Sequence, residues 1–292
     1  MYNHIRFDNV SLRFNDKTIL KNISFRLETN KIYGLLGRNG AGKTTLLSVL
    51  SGFVKPTNGR VTIDGEAIFE NEDFMESIVF VRDVELNESE KVMKFIKQTS
   101  VFRPNFDLEY AMKLVKRFNL PKDGDVTSLS RGMLSALHVV IGLASRCPIT
   151  IFDEAYLGMD APSRVLFYEE VLNEYIKHPR TFILSTHLIS EMETMFEEVI
   201  IIDQGSIIIH EDLDTFKSRG VSVTGSINDV DVFTVDKTIL KEQVLGGTKQ
   251  AMIYGELTNI EKQQAQHLKF DSISLQELFI HLTKEAERYE KK

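Results

Sequence analysis

The feature that most constrains this chain is a glycine-rich run, GRNGAGKTT, at residues 37–45. Its spacing, Gly-x-x-x-x-Gly-Lys-Thr, fits a loop whose backbone N–H groups surround phosphate oxygens. The motif has this meaning only between a buried strand and a helix. Both are predicted here, because the apolar run KIYGLL precedes it and KTTLLSVLSG follows with leucines at helical spacing. We therefore predict a phosphate-binding strand–loop–helix unit.

The residues of this loop have distinct predicted roles. Lys43 supplies a positive charge to the β- and γ-phosphates of a nucleotide, and the Thr44 hydroxyl ligates Mg²⁺. The helix that begins here adds the positive end of its dipole. The alternative is a glycine-rich turn beside a surface lysine, and the predicted strand and helix argue against it. The other predicted phosphate contacts are Gly37, Arg38, Asn39, Gly40, Ala41, Gly42 and Thr45.

Two later apolar runs end in residues that suit phosphate chemistry. ITIF is followed by Asp153 and Glu154, and TFILST is followed by His187. Ligands bind at the carboxyl ends of parallel strands, so we expect these side chains to face the phosphate loop. Asp153 is predicted to hold the metal, Glu154 to polarise the attacking water, and His187 to contact the γ-phosphate. Solvated strand ends are the plainer alternative for each of these residues taken alone.

The pattern of elements predicts an α/β fold, with a P-loop NTPase core built on a mostly parallel sheet. Alternating runs near the N-terminus predict an antiparallel β subdomain. A helical insert is predicted at about 87–145, and a small α+β subdomain at the C-terminus. The predicted domains are residues 1–215, which bind the nucleotide, and an accessory unit at residues 216–292.

Composition narrows the function classes. The net charge of −7 gives no reason to expect nucleic acid as a partner. The single cysteine, Cys147, rules out an internal disulfide and suits a reducing cytosol. The N-terminus does not have the pattern of a signal peptide, and no run approaches the ~20 apolar residues that span a bilayer. We expect a cytoplasmic protein that reaches a membrane through another polypeptide.

The stretch LSRGM, at residues 129–133, begins a predicted helix with a serine cap. Ser130 and Gly132 leave free N–H groups at that helix start, an arrangement that can bind an anion. The residues themselves do not identify the anion.

The phosphate loop, LSRGM, ITIFDE, YLGMD and TFILSTH occur in this order and together resemble the ATP-binding subunit of an ABC transporter over roughly residues 2–215. The resemblance implies ATP and Mg²⁺ as cofactors, and a head-to-tail dimer with two ATP molecules between the chains. Ser130 and Gly132 would then touch the ATP of the other chain, and Asp160 would lie at the shared interface. Phe14 sits where the family places an aromatic ring on adenine.

The same resemblance implies membrane-spanning subunits as partners, a position on the inner face of the cell membrane, and a helical insert that faces those subunits. The chain departs from the family pattern in the signature, where Arg131 and Met133 replace the usual residues. Ala155 and Tyr156 replace a proline-containing turn, and Asp83 stands where a glutamine is usual. Asp83 is retained as a predicted metal ligand. The variant signature is similar to that of small exporter ATPases of Gram-positive bacteria, and a homodimer and a heterodimer both remain open.

Other classes explain fewer of these motifs. The main alternative is a non-transport ABC ATPase that acts on DNA or on the ribosome. A repair ATPase of that kind carries a long coiled coil or zinc-binding cysteines, and a ribosome factor normally repeats the ATP-binding unit. A GTPase or small-molecule kinase would leave LSRGM unexplained. We therefore expect the motor subunit of an ABC transporter that drives export of a peptide, lipid or drug-like substrate.

Overall fold

The computed structural model describes residues 2–84 and 90–289 and arranges its strands in three sheets. The strands are β1 His4–Phe14, β2 Lys17–Glu28, β3 Ile32–Leu36, β4 Asn58–Ile63, β5 Glu66–Ala67, β6 Ile78–Arg82, β7 Ile149–Asp153, β8 Thr181–Thr186, β9 Glu198–Asp203, β10 Ser206–Asp212, β11 Gly220–Ser226, β12 Thr238–Leu245, β13 Thr248–Tyr254 and β14 Lys269–Ser272. The α-helices are α1 Lys43–Leu50, α2 Glu72–Ser77, α3 Val92–Val101, α4 Leu108–Arg117, α5 Arg131–Ala144, α6 Ala161–Lys177, α7 Ile189–Met192, α8 Leu213–Ser218, α9 Ile227–Thr234, α10 Asn259–Gln264 and α11 Leu275–Tyr289.

The central sheet has the strand order β10-β9-β3-β8-β7-β6. Its neighbours pair in parallel except for β9 and β10, which form an antiparallel hairpin. Strands β3, β7 and β8 are buried along their whole length, because helices cover one face and the N-terminal sheet packs on the other. The predicted α/β P-loop fold with a mostly parallel sheet is confirmed.

The strand order brings three polar strand ends together. Strands β3, β8 and β7 are direct neighbours, and Asp153 is the register partner of Ser185. Since the strands run parallel, the phosphate loop after β3, His187 after β8 and Glu154 after β7 emerge at one edge of the sheet. The predicted convergence of these strand ends is confirmed.

Helix α1 begins directly after the glycine-rich loop. Gly42 is its N-cap with φ = 112°, a left-handed conformation that other residues adopt only with strain. Leu46, Leu47 and Leu50 are buried beneath the helix, and Gly52 follows its end with φ = 74°. The predicted helix after the glycine-rich loop is confirmed.

The N-terminal antiparallel sheet has the order β2-β1-β4-β5. The alternating pattern of β1 places Ile5 and Phe7 in a core shared with Ile151 and Ile183 of the central sheet. A turn at Asp64–Gly65 joins β4 to β5, and both residues have positive φ.

The helical insert contains α3, α4 and α5, which pack on one another and on the central sheet. Ser130 caps α5, as the sequence predicts, and its Oγ accepts a hydrogen bond from the backbone N–H of Met133 at 3.3 Å. Residues 87–89, at the predicted start of the insert, lie outside the described residues.

The C-terminal part forms a third sheet with the order β12-β13-β11-β14, which is antiparallel throughout. Val223, Ala251 and Ile253 belong to a small core of its own, whereas Leu275 and Leu278 from the α11 region join the core of the central sheet. The predicted domain boundary between residues 215 and 216 falls within α8 and stays a prediction. None of the described helices combines the length and apolarity that crossing a bilayer requires.

Candidate functional site

An open cleft of about 880 Å³ lies where the three strand ends meet. It contains six of the predicted site residues of the phosphate loop and the three acidic residues predicted to act on the metal or on water. The residues that line the cleft are Lys17, Ile19, Asn39, Gly40, Gly42, Lys43, Thr44, Thr45, Arg82, Asp83, Val84, Asp153, Glu154 and Leu157.

The side chain of Lys43 turns back toward the start of the phosphate loop. The Lys43 Nζ donates to the carbonyl oxygens of Gly37 at 2.7 Å and of Arg38 at 3.5 Å, and the side chain is only 7% exposed. A Cβ at Gly37 would lie 2.7 Å from the carbonyl oxygen of Ile202, so only glycine fits there. Ala41 is buried and its carbonyl accepts from the N–H of Gly205 at 2.9 Å. A buried ammonium held on backbone carbonyls is well placed for an anionic ligand.

Thr44 and Asp153 form the pair that suits a divalent cation. The Thr44 hydroxyl donates to Asp153 Oδ2 at 2.6 Å. Asp153 Oδ1 and Ser185 Oγ are both buried, and neither makes a hydrogen bond within the described part of the chain. These hard oxygen donors fit Mg²⁺, which takes one or two protein oxygens and completes its octahedron with phosphate and water. Thr44 and Asp153 are therefore the residues that would hold the ion.

Glu154 follows the metal pair in a strained backbone conformation. Its φ is 50°, in the left-handed region that a non-glycine residue rarely adopts, and such strain concentrates at functional sites. One carboxylate oxygen, Oε1, lies 3.6 Å from Lys43 Nζ, and Oε2 lies 3.3 Å from His187 Nδ1. The structure thus brings the predicted general base, the phosphate-loop lysine and the predicted γ-phosphate contact together.

Tyr156 lies beneath His187, a contact that the sequence did not predict. Its buried hydroxyl is 3.1 Å from His187 Nδ1 and 2.8 Å from Thr186 Oγ1, and it accepts from the backbone N–H of His187 at 3.1 Å. Burial raises the pKa of Tyr156 above its ordinary value, so the hydroxyl keeps its proton at physiological pH.

Phe14 lies at the end of β1, beside the cleft but outside its lining. It is 52% exposed, and its register partner in β2 is Lys17, which does line the cleft. An exposed aromatic ring at this hairpin end suits its predicted role against a flat base.

The signature residues lie on a separate, exposed surface. Ser130 is exposed, and a Cβ at Gly132 would lie 2.4 Å from the carbonyl oxygen of Gly158. The signature loop therefore packs closely on the YLGMD stretch. Neither Ser130 nor Gly132 lines the cleft of its own chain.

Asp160 ends this stretch and caps α6. Its Oδ1 accepts from the N–H of Ser163 at 3.0 Å, and bonds from Ser163 lower the pKa of the exposed carboxyl. Arg164, one turn further on, forms a bidentate pair with Glu191 at 2.9 and 3.0 Å. That pair ties the start of α6 to α7, the helix that follows His187.

Asp83 lines the cleft and forms an ion pair with Arg131 of the signature, with Asp83 Oδ2 and Arg131 Nη2 2.6 Å apart. Two departures from the family pattern therefore contact each other. The role of Asp83 as a metal ligand stays a prediction.

Some residues at the site could not be identified from the sequence, because their positions depend on how the strands pack together. The sequence predicts that Ser185 and Thr186 lie in a strand but assigns them no function, although their position just before His187 is a signal. Tyr156 carries a weaker signal, because it lies two residues after Glu154. Lys17, which also lines the cleft, lies three residues after Phe14 in the same hairpin.

The fold and this cleft define an α/β ATPase of the P-loop class. Residues 20–157 match the family model described as ABC transporter. This stretch, just under half of the chain, contains the phosphate loop, LSRGM and the Asp153–Glu154 pair. Together with the relatives described next, it shows an ATPase that is similar to the ATP-binding subunits of ABC transporters.

The chain is similar to several curated proteins and solved structures. It is 25% identical to the ABC transporter ATP-binding protein YtrB of Bacillus subtilis, over 86% of this chain and 84% of the relative. It is 26% identical to the Nod factor export ATP-binding protein I of Burkholderia lata, with the same coverage of 86% and 84%. A solved ATP-binding subunit of an ABC transporter superposes with a TM-score of 0.66 at 20% identity, over 73% of this chain and 91% of that chain, and shows the fold alone.

Proposed function

We propose that this chain is the motor subunit of an ABC exporter, which binds Mg-ATP at an interface between two ATPase chains. One observation carries the proposal. Lys43, Thr44, Asp153 and Glu154, from two strand ends, line one cleft, and His187, which follows a third strand, has its Nδ1 3.3 Å from Glu154 Oε2. These residues supply a positive charge for the phosphates, ligands for a metal ion, a base for the attacking water and a hydrogen-bond donor. Phosphoryl transfer requires each of these groups.

The chemistry of the cleft follows from the positions of these side chains. The backbone N–H groups of the loop and Lys43 bind the phosphates, while Mg²⁺ held by Thr44 and Asp153 would neutralise charge on the β- and γ-oxygens. Glu154 accepts a hydrogen bond from the attacking water and orients it. His187 donates to the γ-phosphate. Most of the rate enhancement in this chemistry comes from positioning and charge rather than from covalent catalysis.

The exposed signature supports a shared site. Ser130 and Gly132 lie at the exposed N-terminus of α5, which can bind a phosphate that another chain holds. In a head-to-tail dimer each signature faces the phosphate loop of the other chain, and Asp160 lies at the same interface. The partner chain is either a second copy or a related ATPase.

A surface formed by the helical insert together with α2 and the segment after α1 supports a membrane partner. Met75, Val101 and Phe102 are each more than half exposed, and Phe53, also exposed, has its ring centroid 5.8 Å from that of Phe80. Arg103 donates to the Met75 carbonyl at 3.0 Å and so joins the end of α3 to α2. Exposed apolar side chains on one side of a soluble domain suit a protein interface. We propose that membrane-spanning subunits bind here and hold the chain at the inner face of the membrane.

The direction and the substrate rest on similarity. The Burkholderia relative is named for Nod factor export, which supports export as the direction. The LSRGM signature resembles that of small Gram-positive exporters such as the staphylococcal exporter of phenol-soluble modulins. We propose a peptide, lipid or drug-like substrate, which the membrane subunits select.

The test compares the purified chain with Glu154→Gln, which keeps the shape of the side chain and removes its charge. We expect the wild type to hydrolyse ATP with Mg²⁺, and the variant to bind ATP, lose turnover and form an ATP-dependent dimer in light scattering. Chelation of Mg²⁺ should abolish wild-type turnover. A variant that retained wild-type turnover would contradict the role of Glu154. A wild type that stayed monomeric and inactive would contradict self-sufficient homodimerisation.

A further inference from the structure

Tyr156 is a buried polar residue that the ATPase chemistry above does not use. It is 3% exposed, and its hydroxyl makes three contacts with the end of β8. Two of them are to His187, through the backbone N–H and through Nδ1 of the ring. The same ring nitrogen lies near Glu154, so the proton on His187 depends on both neighbours.

The hydrogen-bond donors and acceptors around Tyr156 determine where the hydroxyl protons of Tyr156 and Thr186 point. Thr186 Oγ1 accepts from the backbone N–H of Leu188 at 2.9 Å, and the Tyr156 oxygen accepts from the N–H of His187. If Thr186 donates to Tyr156, the tyrosine hydroxyl donates to His187 Nδ1 and every proton has a partner. If Tyr156 donates to Thr186 instead, the buried threonine proton is left without an acceptor among the described residues. Buried donors without partners are disfavoured, so the first arrangement prevails.

This arrangement leaves His187 with a bare Nδ1 and a proton on Nε2. Glu154 opposes it, because its Oε2 lies 3.3 Å from the same Nδ1 and a carboxylate favours a proton there. The tyrosine contact is shorter, at 3.1 Å, and is backed by two further hydrogen bonds to the same hydroxyl. The two neighbours of Nδ1 therefore favour different tautomers of the ring.

We propose that Tyr156 is a positioning residue that holds His187 as the Nε2–H tautomer, ready to donate a hydrogen bond from the ring edge opposite Nδ1. The proposal rests on the proposed contact of His187 with the γ-phosphate. An Nε2–H group donates to an anionic oxygen, whereas a bare Nε2 would present a lone pair to it. Without Tyr156, Glu154 is the remaining described partner of Nδ1, and the proton moves to that nitrogen.

The direct test is the ¹⁵N spectrum of histidine-labelled protein without nucleotide, at a pH roughly two units above the usual histidine pKa of about 6.5. The chain has 7 histidines, and His187→Ala identifies the signals of interest. We expect wild-type His187 to show a protonated Nε2 and a bare Nδ1. In Tyr156→Phe the protonated nitrogen should become Nδ1.

ATP turnover gives the second readout. Tyr156→Phe should lower kcat about 10- to 100-fold, the usual effect of removing a group that orients a functional side chain, with little change in KM. Tyr168→Phe is the matched control, because it also removes the hydroxyl of a buried tyrosine, one that donates to Glu191 at 3.0 Å and does not touch His187. The control should keep both the tautomer and kcat, and thermal unfolding of both variants checks the fold.

The outcomes separate the two proposals. A folded Tyr156→Phe protein that keeps the Nε2–H tautomer, or a wild type that already carries its proton on Nδ1, overturns the role of Tyr156. A tautomer that changes as expected in a chain that neither binds nor hydrolyses ATP supports the assignment of Tyr156 and overturns the proposed function.

Discussion

The two polar surfaces of the ATP-binding domain differ in how complete they are within one chain. At the cleft, Lys43, Thr44 and Glu154 already have partners from other strands of the same chain. At the signature, Ser130 and Asp160 cap their own helices and otherwise face solvent. Under the proposed function, the cleft binds a ligand that the chain holds alone, and the signature binds one that a second chain presents.

Substitutions at the cleft and at the signature should therefore affect different steps, ATP binding in one case and turnover in the other. A change in the cleft should affect the binding of ATP by the chain that carries it. A change in the signature should spare that binding and affect turnover only in a dimer. The C-terminal sheet, which contains none of the predicted site residues, provides controls for both surfaces.

The largest expected effect is on ATP binding by Lys43→Ala. We expect affinity to fall about 10- to 100-fold, since a hydrogen bond to a charged group contributes about 1.5–3 kcal/mol. Lys249→Ala is the matched control, because Lys249 is also buried but pairs with Asp231 of α9 and Glu242 of β12 in the C-terminal part. Calorimetric titration with ATP measures both. Equal losses in the two variants would mean that Lys43 acts through folding rather than on the phosphates.

A smaller effect is expected from a negative charge at the signature. Ser130→Asp keeps a residue that caps α5 well, so stability should hardly change. A carboxylate facing the phosphates of a partner's ATP should lower turnover at least about 10-fold by repulsion between like charges. Ser226→Asp, at the N-cap of α9 in the C-terminal part, is the control and should leave turnover unchanged. Loss of ATP binding by isolated Ser130→Asp chains would contradict the division between the two surfaces.

The smallest effect concerns the contact between the surfaces. The Asp83–Arg131 pair is partly exposed, with side-chain exposures of 34% and 65%, so we expect a coupling energy of about 0.2–1 kcal/mol. A double-mutant cycle of Asp83→Asn and Arg131→Gln in urea unfolding measures it. A coupling well above this range would show that the pair holds the two surfaces together more firmly than its exposure suggests.

The sequence predicted the cleft well because its chemistry is local. A strand, a glycine loop and a helix start are adjacent in the chain. Asp153 ends one short apolar run and His187 directly follows another, and such runs are typical of buried parallel strands. Glu154 could be predicted as a cleft residue from its position directly after Asp153 alone.

Contacts between distant residues could not be predicted in this way. Arg131 and Asp83 are 48 residues apart, and Tyr156 reaches His187 across 31 residues, so both contacts depend on strand order and side-chain rotamers. The C-terminal sheet was predicted only as an α+β unit. Its short strands β11 to β14 have no motif that fixes their order, which places β11 between β13 and β14.

The most direct test of the shared site mixes two inactive variants, Lys43→Ala and Ser130→Asp. In a head-to-tail dimer, the intact phosphate loop of the second chain meets the intact signature of the first. Turnover should then return to about a quarter of the wild-type value in an equal mixture, because half of the random dimers are mixed and each contains one intact site of two. A mixture that dimerises with ATP and remains as inactive as each variant alone would contradict the account.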